Sequence, residues 1–439
     1  MNRRLKLVVI AFSFLLVSAL LAGAMASKTA SPEETYRHMG VFSEVLSRIK
    51  SEYVEEPNMG VVNLGAINGL LESLDPYASY MSADQYKQYQ REQNSKKASV
   101  GLRMAKRYSM LSIIDAVPMS PASKAGLGTG DMVEAINGVS TRDMPLAYAD
   151  IMLQGEAGSN VELTVLRFRK PEPQKITLAR AAIVFPPVTS KLMDNNIGHI
   201  RATSLSDGKV AEIASAVQSL AKQGAKKIVL DLRHCAYGSP TDGIALANLF
   251  MDKGTISYLV GQKNARQNFE ADSSKQIWKD GLVVITNRGT ASGAEVAAAA
   301  LMDSKRAEVV GERTYGDAGL RKALTMDDGG AVILTVAKYY SPSGKAIQDN
   351  AVMPSVPLLE QQEQQASEDE EEPPVTNPAT VEPKKSTEDE LLKKAIEVLV
   401  KGKPALTDEQ ARAVAAGQKK PGTEAQAATE LGPLNIPKK

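Results

Sequence analysis

The sequence predicts an α/β protein with a helical N-terminal segment and a compact β-rich module inserted ahead of the main core. Three observations carry this. Over residues 181–358 short apolar strands alternate with amphipathic helices, the order expected of helices layered on a largely parallel sheet. Over 96–180 strand-like alternation is punctuated by Gly, Pro and Asn turns. Ahead of both, Val41, Phe42, Val45, Leu46 and Ile49 recur at a spacing that places them on one helix stripe.

The chain has 439 residues, 43% of them hydrophobic, enough to bury more than one core. Its 52 Lys and Arg nearly balance 51 Asp and Glu, which excludes a strongly basic nucleic-acid-coating protein. Cys235 is the single cysteine, so no intramolecular disulfide forms. His38, His199 and His234 stand far apart, with no metal-ligand spacing; neither metal nor cofactor is expected.

Residues 1–26 carry Arg3, Arg4 and Lys6, then an apolar run from Leu7, and end on Ala24-Met25-Ala26. This order reads as an export signal with a small-residue cleavage site, or as a retained membrane anchor, since about 20 apolar residues suffice to span a bilayer. The expected location is exported: periplasmic, or extracytoplasmic and membrane-anchored.

A helical N-terminal domain is expected over 31–95, with a second helical stretch from Val61 to Leu74 ending ahead of Asp75-Pro76. Within 96–180, Leu111 to Ile114, Val161 to Arg167 and Ile176 to Leu178 read as strands, and Ile136-Asn137-Gly138 as a hairpin turn. In the 181–358 core, Ile197 to Arg201, Ile228 to Leu232, Leu282 to Ile285 and Ala331 to Ala337 are strands. Val210 to Gln223, Ile244 to Met251 and Glu295 to Met302 are helices. Residues 359–385 are acidic and Pro-rich and read as a disordered linker. A helix over 386–401, with Ser386 and Asp389 placed as an N-cap pair, precedes a flexible tail over 402–439.

Pro121-Ala122-Ser123-Lys124-Ala125-Gly126-Leu127, then Gly130-Asp131 and Ile136-Asn137-Gly138, resembles the PDZ signature. That resemblance implies peptide binding by strand addition, with Ser99-Val100-Gly101-Leu102 as the loop whose amides hold a terminal carboxylate. The implied partners are polypeptide C-termini or unfolded protein segments, with no nucleic acid.

The stretch Gly289-Thr290-Ala291-Ser292-Gly293-Ala294-Glu295, followed by Gly311-Glu312-Arg313-Thr314-Tyr315-Gly316, is similar to the active-site segment of the C-terminal processing (tail-specific) serine peptidases. Leu74-Asp75-Pro76-Tyr77-Ala78-Ser79-Tyr80 and Asp231-Leu232-Arg233 carry the same resemblance. It implies a ClpP/crotonase-like core, with Ser292 as the nucleophile of a Ser-Lys dyad. The lysine 25 positions later falls on Asp317, and the glutamine that assists it falls on Arg321. The oxyanion donors it implies are the amides of Gly293 and of the loop at Gly238, where Tyr237 stands in place of a first glycine.

A carboxylate of ordinary pKa is a weak acceptor for a serine proton, so the altered base points to a peptidase-like binder with lost or slow cleavage. The alternative is a working peptidase with a substituted base: His234 oriented by Asp317, or another lysine among Lys305, Lys322 and Lys345. Asp317 and Arg321 are also expected to pair with one another.

Overall fold

The computed structural model describes residues 32–92, 98–107, 110–142, 144–167, 170–358 and 389–402. The expected signal or anchor at 1–26, most of the linker and nearly all of the tail lie outside the described residues. The chain divides between Ile67 and Asn68. In the first unit α1 (Pro32–Glu52) leaves Val41 and Val45 of its apolar stripe exposed. Helix α2 (Met59–Glu72) crosses the division.

After α2, one oxygen of Asp75 accepts the amides of Tyr77 and Ala78, both at 2.8 Å. This side chain-to-backbone turn fixes the direction in which Tyr77 leaves. Strand β1 (Ser79–Met81) then pairs antiparallel with a core strand, and α3 (Ala83–Glu92) follows. The segment from Asn68 onward belongs to the second unit.

The β-rich module is one antiparallel sheet: β2 (Leu102–Arg107), β3 (Met110–Ala116), β4 (Met132–Ile136), β5 (Val139–Ser140), β6 (Asn160–Arg167) and β7 (Lys170–Ala179), in the order β2-β3-β4-β6-β7 with β5 on β4. The turn between β4 and β5 places Asn137 and Gly138 at positive φ (51° and 76°), as a two-residue hairpin requires. Two short helices, α4 (Pro121–Lys124) and α5 (Leu146–Met152), complete it. Leu102, Met104, Ile113, Val133, Leu163 and Val165 form its core.

The main core holds two sheets. In the first, β8 (Thr189–Met193), β9 (Ile197–Arg201), β10 (Lys227–Asp231), β13 (Gly281–Thr286), β14 (Glu308–Gly311) and β17 (Val356–Pro357) run in the order β17-β14-β13-β10-β9-β8, parallel throughout except at β8. The second contains β11 (Thr255–Gly261), β12 (Asn264–Glu270), β15 (Gly319–Thr325) and β16 (Ala331–Tyr340), together with β1.

Helices α6 (Lys209–Lys222), α7 (Pro240–Asn248) and α8 (Gly293–Asp303) pack in the large core that also takes in Ile256, Leu259 and Tyr339 of the second sheet. A four-residue helix, α9 (Ile347–Asn350), precedes β17. On the other face of the parallel sheet, Val229, Val283 and Val310 meet Leu391, Ala395 and Val398 of α10 (Glu390–Lys401). Strands covered on both faces explain the unbroken apolar runs in the sequence.

Residues Gly293–Leu301 of α8 are all buried, which favours small apolar side chains along its length, and the one polar side chain among them, Glu295, is fully hydrogen-bonded. Helix α7 starts at Pro240, four residues before its first expected residue, because Ser239 and Asp242 form a capping box there. Helix α10 is capped by Asp389 alone among the described residues, its carboxylate accepting Leu392 N at 3.0 Å.

Candidate active site

Ser292 stands between β13 and α8 with φ 55° and ψ −119°, a strained conformation for a residue with a side chain. A serine on a sharp turn at the head of a buried helix presents its hydroxyl where the helix dipole favours an anion. The strain is held by hydrogen bonds on both sides. Thr290 Oγ1 donates to Leu232 O at 2.8 Å, and the Ala291 amide donates to Cys235 O at 3.0 Å, tying this turn to the 232–238 loop.

Glu295 closes the arrangement from within. One oxygen accepts the amides of Ser292 (2.9 Å) and Asp317 (2.8 Å). The other accepts the Gly316 amide (2.6 Å) and the Thr314 hydroxyl. Burial pushes this carboxyl up to about 7 against the pull of those hydrogen bonds. A single carboxylate therefore sets the distance between the serine turn and the turn that carries Asp317.

Helices α7 and α8 begin in backbone contact. A Cβ on Gly293 would lie 2.2 Å from Ser239 O, and one on Gly243 would lie 1.9 Å from Gly293 O. This contact brings the 234–239 loop beside Ser292. In that loop Tyr237 stays out of the left-handed region, which is taken instead by His234 (φ 57°) and Gly238 (φ 128°). Tyr237 O accepts Leu205 N at 2.8 Å, which in a planar trans peptide turns the Gly238 amide away from Leu205. The Gly293 amide donates to Gly238 O at 3.3 Å, so this expected oxyanion donor is engaged by the loop's own carbonyl.

Asp317 is 4% exposed, and both of its oxygens are taken by arginines. Arg321 Nη2 donates to Oδ1 at 2.5 Å, and Arg103 Nη2, from β2 of the inserted module, donates to Oδ2 at 2.9 Å. Burial alone would raise its pKa, but Arg321 and Arg103 hold the carboxyl below its ordinary range. Arg321 lies over the Tyr77 ring, 3.7 Å from its centroid, and the Tyr77 hydroxyl donates to Gly316 O at 3.3 Å. The carboxylate is a structural anion between two guanidiniums.

His234 has a different carboxylate from the one expected. Its Nδ1 lies 3.3 Å from Asp115 Oδ1 of β3 and its Nε2 2.8 Å from Asn287 Nδ2, while Asp317 is spent on Arg103 and Arg321. An arrangement in which Asp317 orients His234 does not match this geometry. Cys235 is fully buried, and burial raises its thiol pKa, which disfavours the thiolate. Lys305, Lys322 and Lys345 are exposed, and strand alternation sends Lys322 to the face of β15 opposite Arg321.

In the Ser99–Leu102 loop, Val100 O accepts Ala122 N (3.0 Å) and Gly101 O accepts Val117 N (2.8 Å). Those bonds turn the following amides, of Gly101 and Leu102, the opposite way. Gly101 has φ 79°, and a Cβ there would lie 2.4 Å from Ser120 Cβ. Strand β2 is an edge of its sheet among the described residues.

Sequence reasoning missed Arg103 and Asp115, which reach the site from the inserted module with no local signature, and it assigned no role to Glu295. The signal for Glu295 was its place three residues after Ser292, the capping-box spacing. It also missed the grip on Arg233. Asp389 at the head of α10 accepts both Arg233 Nη1 (3.0 Å) and Nη2 (2.7 Å), while Asp231 takes Arg233 Nε at 2.9 Å.

A family model described as peptidase family S41 matches residues 196–358, and a PDZ domain model matches 113–167. The chain is 32% identical to the carboxy-terminal processing protease CtpA of Bacillus subtilis, over 81% of this chain and 78% of that protein. It is also 32% identical to the carboxyl-terminal-processing protease of Synechocystis sp., over 73% and 76%. Among solved structures, the photosystem II D1 C-terminal processing protease matches with a TM-score of 0.60 at 28% identity, covering 74% of this chain and 88% of that one.

Proposed function

The chain belongs to the carboxy-terminal processing proteases of peptidase family S41, with a PDZ domain, and from that premise we propose that it binds polypeptide C-termini and cleaves them slowly or not at all. The observation that carries this is the state of Asp317. A general base must be able to take up the serine proton, and a buried carboxylate held ionised by two guanidiniums is a poorer acceptor than a free one. Loss of a general base forfeits on the order of 10² to 10⁴ in rate. The engaged Gly293 amide supports the same reading.

Binding rests on the PDZ edge. The Leu102 amide turns away from the loop's internal bonds, the Gly101 amide makes a long one to Ser99 Oγ (3.5 Å), and the edge of β2 offers backbone groups for strand addition by an extended peptide. The charged, apolar, small-residue order of 1–26 supports export. Among the described residues, no helix is long and apolar enough to cross a membrane.

The test is turnover of an unstructured peptide with a free C-terminus by the purified chain beside Ser292→Ala, with affinity measured for the free and the amidated peptide. Equal turnover by both proteins and tighter binding of the free carboxylate are expected. Rapid turnover that is lost in Ser292→Ala would establish a working peptidase and overturn the proposal.

A further inference from the structure

We propose that Asp150, where α5 meets the edge of β2, is an acidic subsite that takes the ammonium or guanidinium of a lysine or arginine in the bound polypeptide, at the position next to its free carboxylate. This rests on the reading of the β2 edge as the peptide-binding edge, and it adds the class of sequence that the edge selects.

The position follows from strand geometry. A terminal carboxylate at the Gly101–Leu102 turn sets the peptide antiparallel to β2, with its last residue opposite Leu102 and the one before it opposite Arg103. Directly opposed residues of an antiparallel pair share a face. Leu102 and Met104 enter the PDZ core, while Arg103 turns to the other face and meets Asp317 at 2.9 Å. The penultimate side chain therefore projects on the Arg103 side.

Asp150 lies on that side too. Ala149 of α5 and Leu153 at its cap enter the PDZ core, whereas Leu146 packs both there and in the cluster of Tyr77 and Ala105. Asp150 follows Leu146 by one helical turn and shares its flank. Two guanidiniums and two carboxylates gather here: Arg103, Arg321, Asp317 and Asp150. Both guanidiniums close on Asp317, and among the described residues Asp150 is left without an ion pair. Burial pushes its half-buried carboxyl up to about 6 against the pull of Arg103, as expected of a carboxylate that lacks a partner.

Its neighbours have unmet capacity for the same ligand. The Tyr237 hydroxyl is buried with no hydrogen-bond partner among the described residues. Burial pushes this phenol up, with Arg103 opposing the shift and Asp115 and Asp150 reinforcing it, so it stands in the field of the same charges. Tyr89 of α3, stacked on Tyr86 with ring centroids 6.3 Å apart, is raised by burial and then by Tyr86 and Asp150. A carboxylate, a phenol oxygen with unused lone pairs and aromatic faces are the groups that hold an alkylammonium or a guanidinium. An alkyl side chain would leave Asp150 desolvated and unpaired, and an acidic one would meet it with like charge.

The test is fluorescence anisotropy on the full chain with labelled free-carboxylate peptides that differ only in the penultimate residue: Lys, Arg, Gln, Ala or Glu. The Lys and Arg peptides should bind about tenfold tighter than the Gln and Ala peptides, with the Glu peptide weakest. Asp150→Asn should bring the Lys and Ala peptides to within about twofold of each other, and Asp150→Lys should reverse the order in favour of Glu. Because Asp150→Asn removes a charge that has no ion pair, its urea midpoint should not fall below that of the parent, which keeps the comparison between folded proteins.

Lys and Ala peptides that bind the parent alike, a Gln peptide as tight as the Lys peptide, or a lysine preference that survives Asp150→Asn would overturn the subsite alone. If none of the peptides binds, the peptide-edge reading fails and the subsite fails with it.

Discussion

Asp317→Lys, the substitution that restores the expected base, should unfold the site rather than repair it. The carboxylate it removes lies 2.9 Å from one guanidinium and 2.5 Å from another. At about 4 Å and an effective dielectric near 20, a unit-charge pair is worth about 4 kcal/mol, and solvent at Arg103 (34% exposed) and Arg321 (24%) screens this to about 2 kcal/mol each. The substitution loses both attractions and sets a cation in their place. That amine escapes repulsion by releasing its proton, and a depression of about three pKa units costs about 4 kcal/mol. The sum, about 8 kcal/mol, rivals the whole stability of an ordinary domain.

Urea unfolding followed by circular dichroism measures it. Asp317→Lys alone should lose most of its folded baseline, whereas Arg103→Gln/Asp317→Lys/Arg321→Gln should recover most of the midpoint, and peptide cleavage should emerge only in that triple variant. An unfolding free energy for the single variant within about 1 kcal/mol of the parent would refute the charge argument.

Stability should fall as pH rises from about 4.5 through 7, because burial lifts Glu295 to about 7 and Asp150 to about 6, so that ionisation is disfavoured in the fold. Glu295 alone contributes about 3 kcal/mol of that slope. Below the ordinary carboxyl range the sign reverses: Asp317, held low by Arg321 and Arg103 against its burial, contributes stability that is lost as pH falls through its folded pKa. Melting temperatures that keep rising from pH 5 to 7.5 would contradict this.

Glu295→Gln puts an amide NH₂ against two backbone donors on one side and should cost about 2 to 3 kcal/mol, read as a lowered denaturation midpoint. Gly101→Val combines a positive φ with a Cβ 2.4 Å from Ser120 and should weaken peptide binding at least about tenfold by fluorescence anisotropy, leaving the core's unfolding unchanged. Asp389→Ala removes a two-pronged hold on Arg233. With that aspartate 39% exposed, the loss is about 1 kcal/mol, accompanied by faster hydrogen exchange over 233–238.

Much of the fold was legible because its periodicities are strong. The runs 228–230 and 282–285 are apolar since both faces of their sheet are covered, and the Ala-rich stretch after Ser292 is a helix buried all round. Strands β12 and β15 were not legible. Asn264–Glu270 is polar and mostly exposed at a sheet edge, and Gly319–Thr325 carries little apolar alternation, so neither displays a pattern of its own. The start of α7 was written in Ser239-Pro240-Thr241-Asp242, but its apolar residues begin later and drew the boundary after them.

The sequence by itself determined the family, the serine on its turn, and the absence of the expected lysine and glutamine, because each depends on residue identity at a fixed local spacing. Only the tertiary structure decided what Asp317 became. Its second arginine comes from Arg103, 214 positions earlier in another domain, and the carboxylate beside His234 is Asp115 rather than Asp317. Long-range charge pairs leave no local trace. A bulge at Ile114 and a buried seat of alanines bring these groups within hydrogen-bond reach, and reach is a property of packing rather than of spacing along the chain.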